Sequence, residues 1–301
     1  MNNTKTRKMM KTPMDEFAVF ILTHGRPDNV VTYKTLRKQG YTGHIYVVID
    51  DEDETEWKYR EKYGSEVVQF SKKEIEQKFD LGDNFTNKRG VIIYARNACF
   101  EIAKELGVRY FCELDDDYTS FTYRFTEDNI FAEANIKSMD KVFGLLLDYY
   151  ISLGERCKTI AMAQGGDYIG GGAGIYGKAI KLTRKAMNSF ICSIDRPFKF
   201  VGRINEDVNT YVRLGYEGEL FLTVNHICLH QKQTQSNKGG MTETYLESGT
   251  YLKSFYSVMY HPAAVHIGLM GNKNKRLHHQ IEWDATTPKI LKDGNRASQR
   301  D

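Results

Sequence analysis

Asp115, Asp116 and Asp117 stand together in CELDDDYTSF, residues 112–121, directly behind an apolar run. Like charges held side by side repel near neutral pH. A hard divalent cation removes that cost, most simply one that shares its shell with phosphate oxygens. Asp115 and Asp117 alternate along the chain and face one side if the backbone stays extended, with Asp116 turned to the other. The triplet therefore reads as a clamp for a metal and a diphosphate, against the plainer reading of an acidic turn. A second acidic pair, Glu206 and Asp207, follows Asn205 at the head of INEDVNTYVRLGYEG, where a helix N-cap is the plain alternative. Between them, GDYIGGGAGIYG places four glycines within residues 170–174. Backbone amides there could approach a ligand closely, or the segment simply turns. Upstream, YARNACFEIAKELG offers Arg96 and Asn97, a guanidinium and an amide suited to phosphates or a base edge, or to an ordinary helix surface.

These groups need a scaffold, and the first hundred residues describe one. FAVFILTH is an apolar run of strand length that breaks into Thr23-His24-Gly25-Arg26-Pro27. Asp28 suits the N-cap of a helix over DNVVTYKTLRKQG, and HIYVVID follows as a second strand, which makes a βαβ unit and a parallel sheet. EDETEWKYREKYG predicts a charged helix closed by Gly64, EVVQF a third strand running into a polar stretch, and residues 91–106 a helix feeding the strand RYFCELD. Ligands of parallel α/β sheets bind beyond the carboxyl ends of the strands, which is where the aspartates fall. Past residue 120 the pattern is mixed. It gives a helix over SMDKVFGLLLDYYISLG, a strand into the glycine turn, the INED helix, a strand GELFLTVNHICLHQ, a helix stopped by Pro262 and a short strand AAVHIGLMG. With no internal repeat or low-complexity linker, one α/β domain over 15–285 is expected, divided near residue 120 into a ligand half and an acceptor half. Residues 1–14 form a flexible arm and 286–301 a flexible tail.

Charge excludes little: 42 basic against 39 acidic residues leave a net +3, so no global field calls for a polyanion. Local patches differ. Lys273, Lys275 and Arg276 lie in GNKNKRLHH without an acid, Gln231, Gln233, Gln235 and Asn237 bring amides, and Lys5, Arg7, Lys8 and Lys11 mark the N-terminal arm. These suit phosphates and base edges, or solvated surface and a polar loop. The five cysteines show no CxxC or CxH spacing and read as reduced packing residues in a cytoplasm. No apolar run has the length of a membrane span, the N-terminus lacks the apolar core of a secretory signal, and no obligatory protein partner is indicated.

The order of strand-THGRP, YARN helix, ELDDD, glycine turn and NED helix resembles the GT-A class of nucleotide-sugar-dependent glycosyltransferases, with ELDDD as its DxD motif and NED as its xED motif. THGR, YARNA, ELDDDY, GGMTETY, GTYLKSFYSVMYHP and KRLHHQIEWD are more narrowly similar to the bacteriophage TET/JBP-associated glycosyltransferases, over residues 17 to about 284. The resemblance implies a GT-A fold, Rossmann-like with a mixed sheet flanked by helices. It also implies a UDP-sugar donor, a divalent metal (Mn or Mg) and inverting transfer to the hydroxyl of 5-hydroxymethylcytosine in DNA, in the host cytoplasm if the chain is phage-encoded. It puts Thr23, His24 and Arg26 near the nucleotide, Asp50 or Asp51 near the uridine or ribose, and Arg96 with Asn97 near the diphosphate. Asp116, Gly171 and Gly172 join the donor site, and Asp115 and Asp117 hold the metal, its shell completed by His226 or His230. Asp207 becomes the general base with Glu206 as runner-up, and Lys273, Lys275, Arg276 and Gln233 meet DNA. A GT-A enzyme acting on a glycan, protein or small molecule is the alternative. A non-catalytic nucleic-acid binder is a third, against which the intact acidic motifs speak.

Overall fold

A computed structural model describes residues 11–83, 90–128, 130–164, 180–183, 186, 188–231, 252–270 and 275–288. The first half runs β1 (Phe17–Leu22), α1 (Val31–Lys38), β2 (His44–Asp50), α2 (Glu56–Tyr63), β3 (Val67–Phe70), α3 (Lys72–Glu76), α4 (Ile93–Glu105) and β4 (Tyr110–Asp115). It continues with β5 (Tyr118–Phe125), β6 (Phe131–Asn135), α5 (Met139–Ser152), β7 (Cys157–Gln164), β8 (Ile180–Lys181), β9 (Ser189–Ser193), α6 (Glu206–Tyr216) and β10 (Leu220–Gln231). A helix α7 over residues 252–260, strands β11 (Val265–Met270) and β12 (Arg276–Ile281), and α8 (Trp283–Thr286) close the described chain.

One mixed sheet carries the order β3-β2-β1-β4-β9-β7-β10-β5-β6, with β8 beside β10, while β11 and β12 form a separate hairpin. β1 lies between β2 and β4 and is parallel to both, so all six of its residues are buried. A strand covered on both faces has no reason to alternate, which is why FAVFIL is continuously apolar. Phe17, Val19 and Ile21 join Leu36 of α1 and Phe143 and Leu147 of α5 on one face. Ala18, Phe20 and Leu22 join Cys99 and Ile102 of α4 and Val208 and Val212 of α6 on the other. The two helices that carry Arg96 and Asp207 therefore cover the same side of the sheet. All five cysteines are free and buried. No helix among the described residues is long and apolar enough to cross a membrane.

The mixed α/β class is as expected, and the departures are local. Asp28 does not cap α1: the helix starts at Val31 and Asp28 instead pairs with Lys62. The amide of Thr32 bonds the carbonyl of Asp116 at 3.0 Å, so the acidic turn itself satisfies this helix end. The polar stretch after β3 forms the short α3. The antiparallel strands β5, β6 and β9 were not anticipated, and strands from both sides of residue 120 share the one sheet.

Candidate active site

The acidic triplet occupies a turn. β4 ends at Asp115 and β5 begins at Tyr118, so the extended backbone that would align Asp115 with Asp117 stops between them. Helix α1 grips this turn: the Thr32 hydroxyl donates to the Asp115 carbonyl at 2.6 Å and accepts the Tyr118 amide at 2.9 Å. Asp116 faces the loop after β1, where the Thr23 hydroxyl donates to it at 2.6 Å and Arg26 Nε lies 3.3 Å away. Asp115 turns the other way, toward α4.

There Arg96 waits, only 1% exposed. Its spacing to Cys99 and Ala103 places it on the buried stripe of α4. Its Nη2 donates to Asp115 at 3.0 Å, its Nε donates to Glu206 at 3.0 Å, and its Nη1 lies 3.6 Å from Glu113. The guanidinium expected to meet a diphosphate is thus buried among carboxylates, and it gathers the ELDDD strand and the NED helix into one place. Asn97 is likewise absorbed: it donates to the Phe200 carbonyl at 3.1 Å and accepts the Phe200 amide at 2.9 Å, clasping the segment that leads into α6 rather than a nucleotide. Glu206 is tied to Arg96. Asp207 accepts the Val208 amide at 2.7 Å and forms no ion pair with a cation among the described residues.

The electrostatics follow from burial. Asp115 is pushed up to about 6, first by desolvation and then by Asp117 and Asp207, with Arg96 and Arg26 pulling against it. Glu113, fully buried, is pushed up to about 8. Glu206 is raised by burial and by Asp207, against Arg96. Acids outnumber the guanidinium they surround, and a divalent cation fits such a set. No three His, Cys, Asp or Glu side chains converge as a ready metal group among the described residues. A cation held by Asp115 and Asp117 would therefore draw its other ligands from phosphate or water, as Mg²⁺ commonly does.

Neither histidine expected in the metal shell is joined to these aspartates. His230, opposite Ser120, directs Nε2 to Glu133 at 2.5 Å and to the Thr122 hydroxyl at 3.1 Å. His226 packs on Phe125 at 4.5 Å between ring centroids. That is the far end of β5, roughly 25 Å from Asp117 at about 3.3 Å per residue, so His226 is too distant to share a cation with it.

The loop after β1 forms a second network. His24 Nδ1 lies 2.7 Å from Asp50 and 3.8 Å from Asp53, while Lys72 Nζ lies 2.9 Å from the other Asp50 oxygen. The Gly25 amide, at a φ of +67° that favours glycine, donates to Asp53 at 2.7 Å, and the Arg26 amide donates to the Tyr59 hydroxyl at 2.8 Å. The hydrogen bond that the ring donates to Asp50 raises the His24 pKa. Thr23, His24, Arg26, Asp50 and Asp116 thus share one network, whereas Asp51 is exposed and accepts the Lys72 amide at 3.0 Å.

Asp53, Tyr59, Lys72 and Glu113 were missed. Glu113 was findable, since two residues before Asp115 on a strand means the same face. Lys275 and Arg276 are exposed at the start of β12. Gly171, Gly172, Gln233 and Lys273 lie outside the described residues.

A family model for TET-associated glycosyltransferases matches residues 17–240. The chain belongs to this family. As a TET-associated glycosyltransferase it is a nucleotide-sugar-dependent enzyme, and THGR, YARNA, ELDDD and NED all fall within the matched span. No curated protein matches the chain. Among solved structures it is similar to glucosyl-3-phosphoglycerate synthase from Mycobacterium tuberculosis, crystallised with Mn²⁺, UDP and phosphoglyceric acid. Identity is 10% and the TM-score 0.41, over 90% of this chain and 91% of that one. It is also similar to S. aureus TarS 1–349 in complex with UDP-GlcNAc, at 11% identity and a TM-score of 0.41, over 73% of this chain and 59% of that one. Likenesses this distant carry no residue roles across.

Proposed function

We propose that this TET-associated glycosyltransferase moves a sugar from a UDP-sugar to the hydroxyl of 5-hydroxymethylcytosine in DNA, inverting the anomeric centre. The observation that carries the reading is Arg96, which holds the acidic turn and the head of α6 in one site. Asp207, next in sequence to the Glu206 that Arg96 holds and near enough to raise Asp115, takes the acceptor's hydroxyl proton as general base. The acceptor oxygen then bonds to the anomeric carbon as the bond from that carbon to the UDP oxygen breaks. Glu206, held by Arg96, sets the helix end rather than moving the proton. A divalent cation, Mn²⁺ or Mg²⁺, held by Asp115 and Asp117, would offset the charge of the departing diphosphate. The network of Thr23, His24, Arg26, Asp50 and Asp116 shapes the loop against which the nucleotide lies.

The acceptor rests on the family resemblance and on chemistry. The hydroxymethyl oxygen is a nucleophile that cytosine lacks, and the charges of Lys273, Lys275 and Arg276 and the amide of Gln233 are of the kinds that suit a DNA strand met in the cytoplasm. Incubation with a panel of nucleotide sugars and DNA carrying cytosine, 5-methylcytosine or 5-hydroxymethylcytosine, followed by nucleoside mass spectrometry, tests the reading. Sugar is expected on 5-hydroxymethylcytosine alone. Transfer to an oligosaccharide or protein, with none to hydroxymethylated DNA, would replace this acceptor and leave the donor chemistry.

A further inference from the structure

Asn205 stands two residues before Asp207 and behaves unlike a helix cap. Its backbone is left-handed, at φ 56° and ψ 40°, and its side chain makes no capping bond to α6. An asparagine at that position ordinarily spends its side chain on the first free amides of its own helix. Here Nδ2 donates instead to the Lys253 carbonyl at 2.6 Å and to the Ser257 hydroxyl at 3.2 Å, both on α7. Asn205 is 7% exposed and Ser257 is fully buried. Lys253 and Ser257 also lie beyond the family-matched residues 17–240.

The neighbouring residues make the same connection. Arg203, buried, donates to both Asp83 oxygens at 3.0 and 2.9 Å, and the Tyr256 hydroxyl of α7 donates to the same carboxylate. The amides of Gly202 and Arg203 each donate at 2.8 Å to the carbonyls of Asp80 and Leu81. Gly202 has a φ of +84°, and a Cβ there would meet Asn209 Nδ2 at 2.2 Å, so its place is fixed by close packing. α7 also touches the β11–β12 hairpin, where the Ser254 hydroxyl donates to the Leu277 carbonyl at 3.1 Å. The hairpin that exposes Lys275 and Arg276 is therefore linked through α7 to the residue that opens α6. A left-handed non-glycine backbone held by such contacts is the kind of local strain that function retains.

We propose that Asn205 is a positioning residue for Asp207, latching the head of α6 to α7 and so fixing the base relative to the acceptor-side hairpin. The inference rests on the reading of Asp207 as the general base. Because the latch acts on placement of the base, its loss is felt in turnover and not in donor binding.

Asn205→Gly separates the latch from the backbone, since glycine adopts the left-handed conformation without penalty and carries no amide. Three measurements suit it: turnover on hydroxymethylated DNA, affinity for UDP in the presence of Mn²⁺, and hydrogen exchange at the first turn of α6. The expected result is a turnover lower by about tenfold, UDP affinity unchanged, faster exchange at residues 206–208, and a melting temperature within about 2–4 °C of the wild type. Ser257→Ala removes the second partner and covers the case in which the glycine variant does not fold. Its smaller loss should be non-additive with that of Asn205→Gly, as for residues in one network. Wild-type turnover and exchange in both variants would overturn the proposal, as would UDP affinity falling in step with turnover. Asp207→Asn measured alongside separates the two readings. If it is inactive while the latch variants are normal, only the latch fails; if it stays active, the base assignment fails and the latch falls with it.

Discussion

Two buried charge networks lie on either side of the acidic turn, and they are balanced differently. In the loop after β1, the buried carboxylates of Asp50, Asp53 and Asp116 meet His24, Arg26 and Lys72, roughly one base for each acid. Around α4, Glu113, Asp115 and Glu206 share the single guanidinium of Arg96, while Asp117 and Asp207 add their charge to Asp115. The first network is complete as folded and acts as scaffold. Among the described residues the second gathers more carboxylates than guanidinium groups, a composition that suits a divalent cation.

The sharpest way to break this contrast is to remove the guanidinium that Glu113, Asp115 and Glu206 share. Arg96→Met leaves buried carboxylates without compensation and should cost about 3–5 kcal/mol of stability in urea unfolding, with Arg96→Lys restoring part of it. Wild-type stability in Arg96→Met would mean that these acids are neutral as folded and owe nothing to the guanidinium. Next in size is Asp207→Asn. Turnover should fall by roughly 10²-fold or more while UDP affinity stays within several-fold; a collapse of UDP affinity would move Asp207 into the donor site. The charge deficit itself is tested by thermal melts with UDP and Mn²⁺. Ligands at a hundredfold excess over Kd stabilise by about 2.7 kcal/mol through mass action, and Asp117→Ala should abolish that gain.

The smallest effect belongs to the balanced network and concerns pH. His24 has its folded pKa raised above 6.5, chiefly by the Asp50 hydrogen bond. The protonated form is therefore the one the fold favours, so its contribution is complete below pH 6.5 and lost as pH rises through the folded pKa. The melting-temperature gap between wild type and His24→Gln should be roughly 2 °C at pH 6 and should narrow as pH rises through the folded pKa. A gap that widens with pH would show that the neutral imidazole is the stabilising form.

How much of this the sequence disclosed depended on the kind of signal. β1, β2, β4 and α4 announce themselves because strands buried on both faces and amphipathic helices leave long, regular patterns. β9 is only SFICS, and β5 mixes polar and apolar residues because Tyr118, Phe121 and Thr122 are buried while Thr119 and Tyr123 are exposed. The acidic motifs were visible as motifs, but their partners were not. Arg96 looks like a surface cation until the 96–99–103 stripe is followed, and nothing in residue type alone shows a guanidinium turned inward. Asn97 likewise gives no sign that it clasps Phe200, a contact made between residues distant in the chain. Asn205 looked like an ordinary cap because its chemistry suits one, and only the packing of α7 redirects its amide.

The five buried thiols have a use that packing alone does not suggest. Cys99 lies on the helix of Arg96 and Cys112 on the strand of Asp115, both fully enclosed, and burial holds their pKa values well above that of a free thiol. A native chain should therefore resist alkylating reagents at these positions, because the thiolate that would react is neither formed nor reachable. Each cysteine becomes a clock that starts only when its surroundings open. Alkylation at Cys99, on the face covered by α4 and α6, timed against Cys112 on the opposite face and Cys228 on β10, would record whether the side of the sheet that carries Arg96 loosens before the rest of the molecule or together with it.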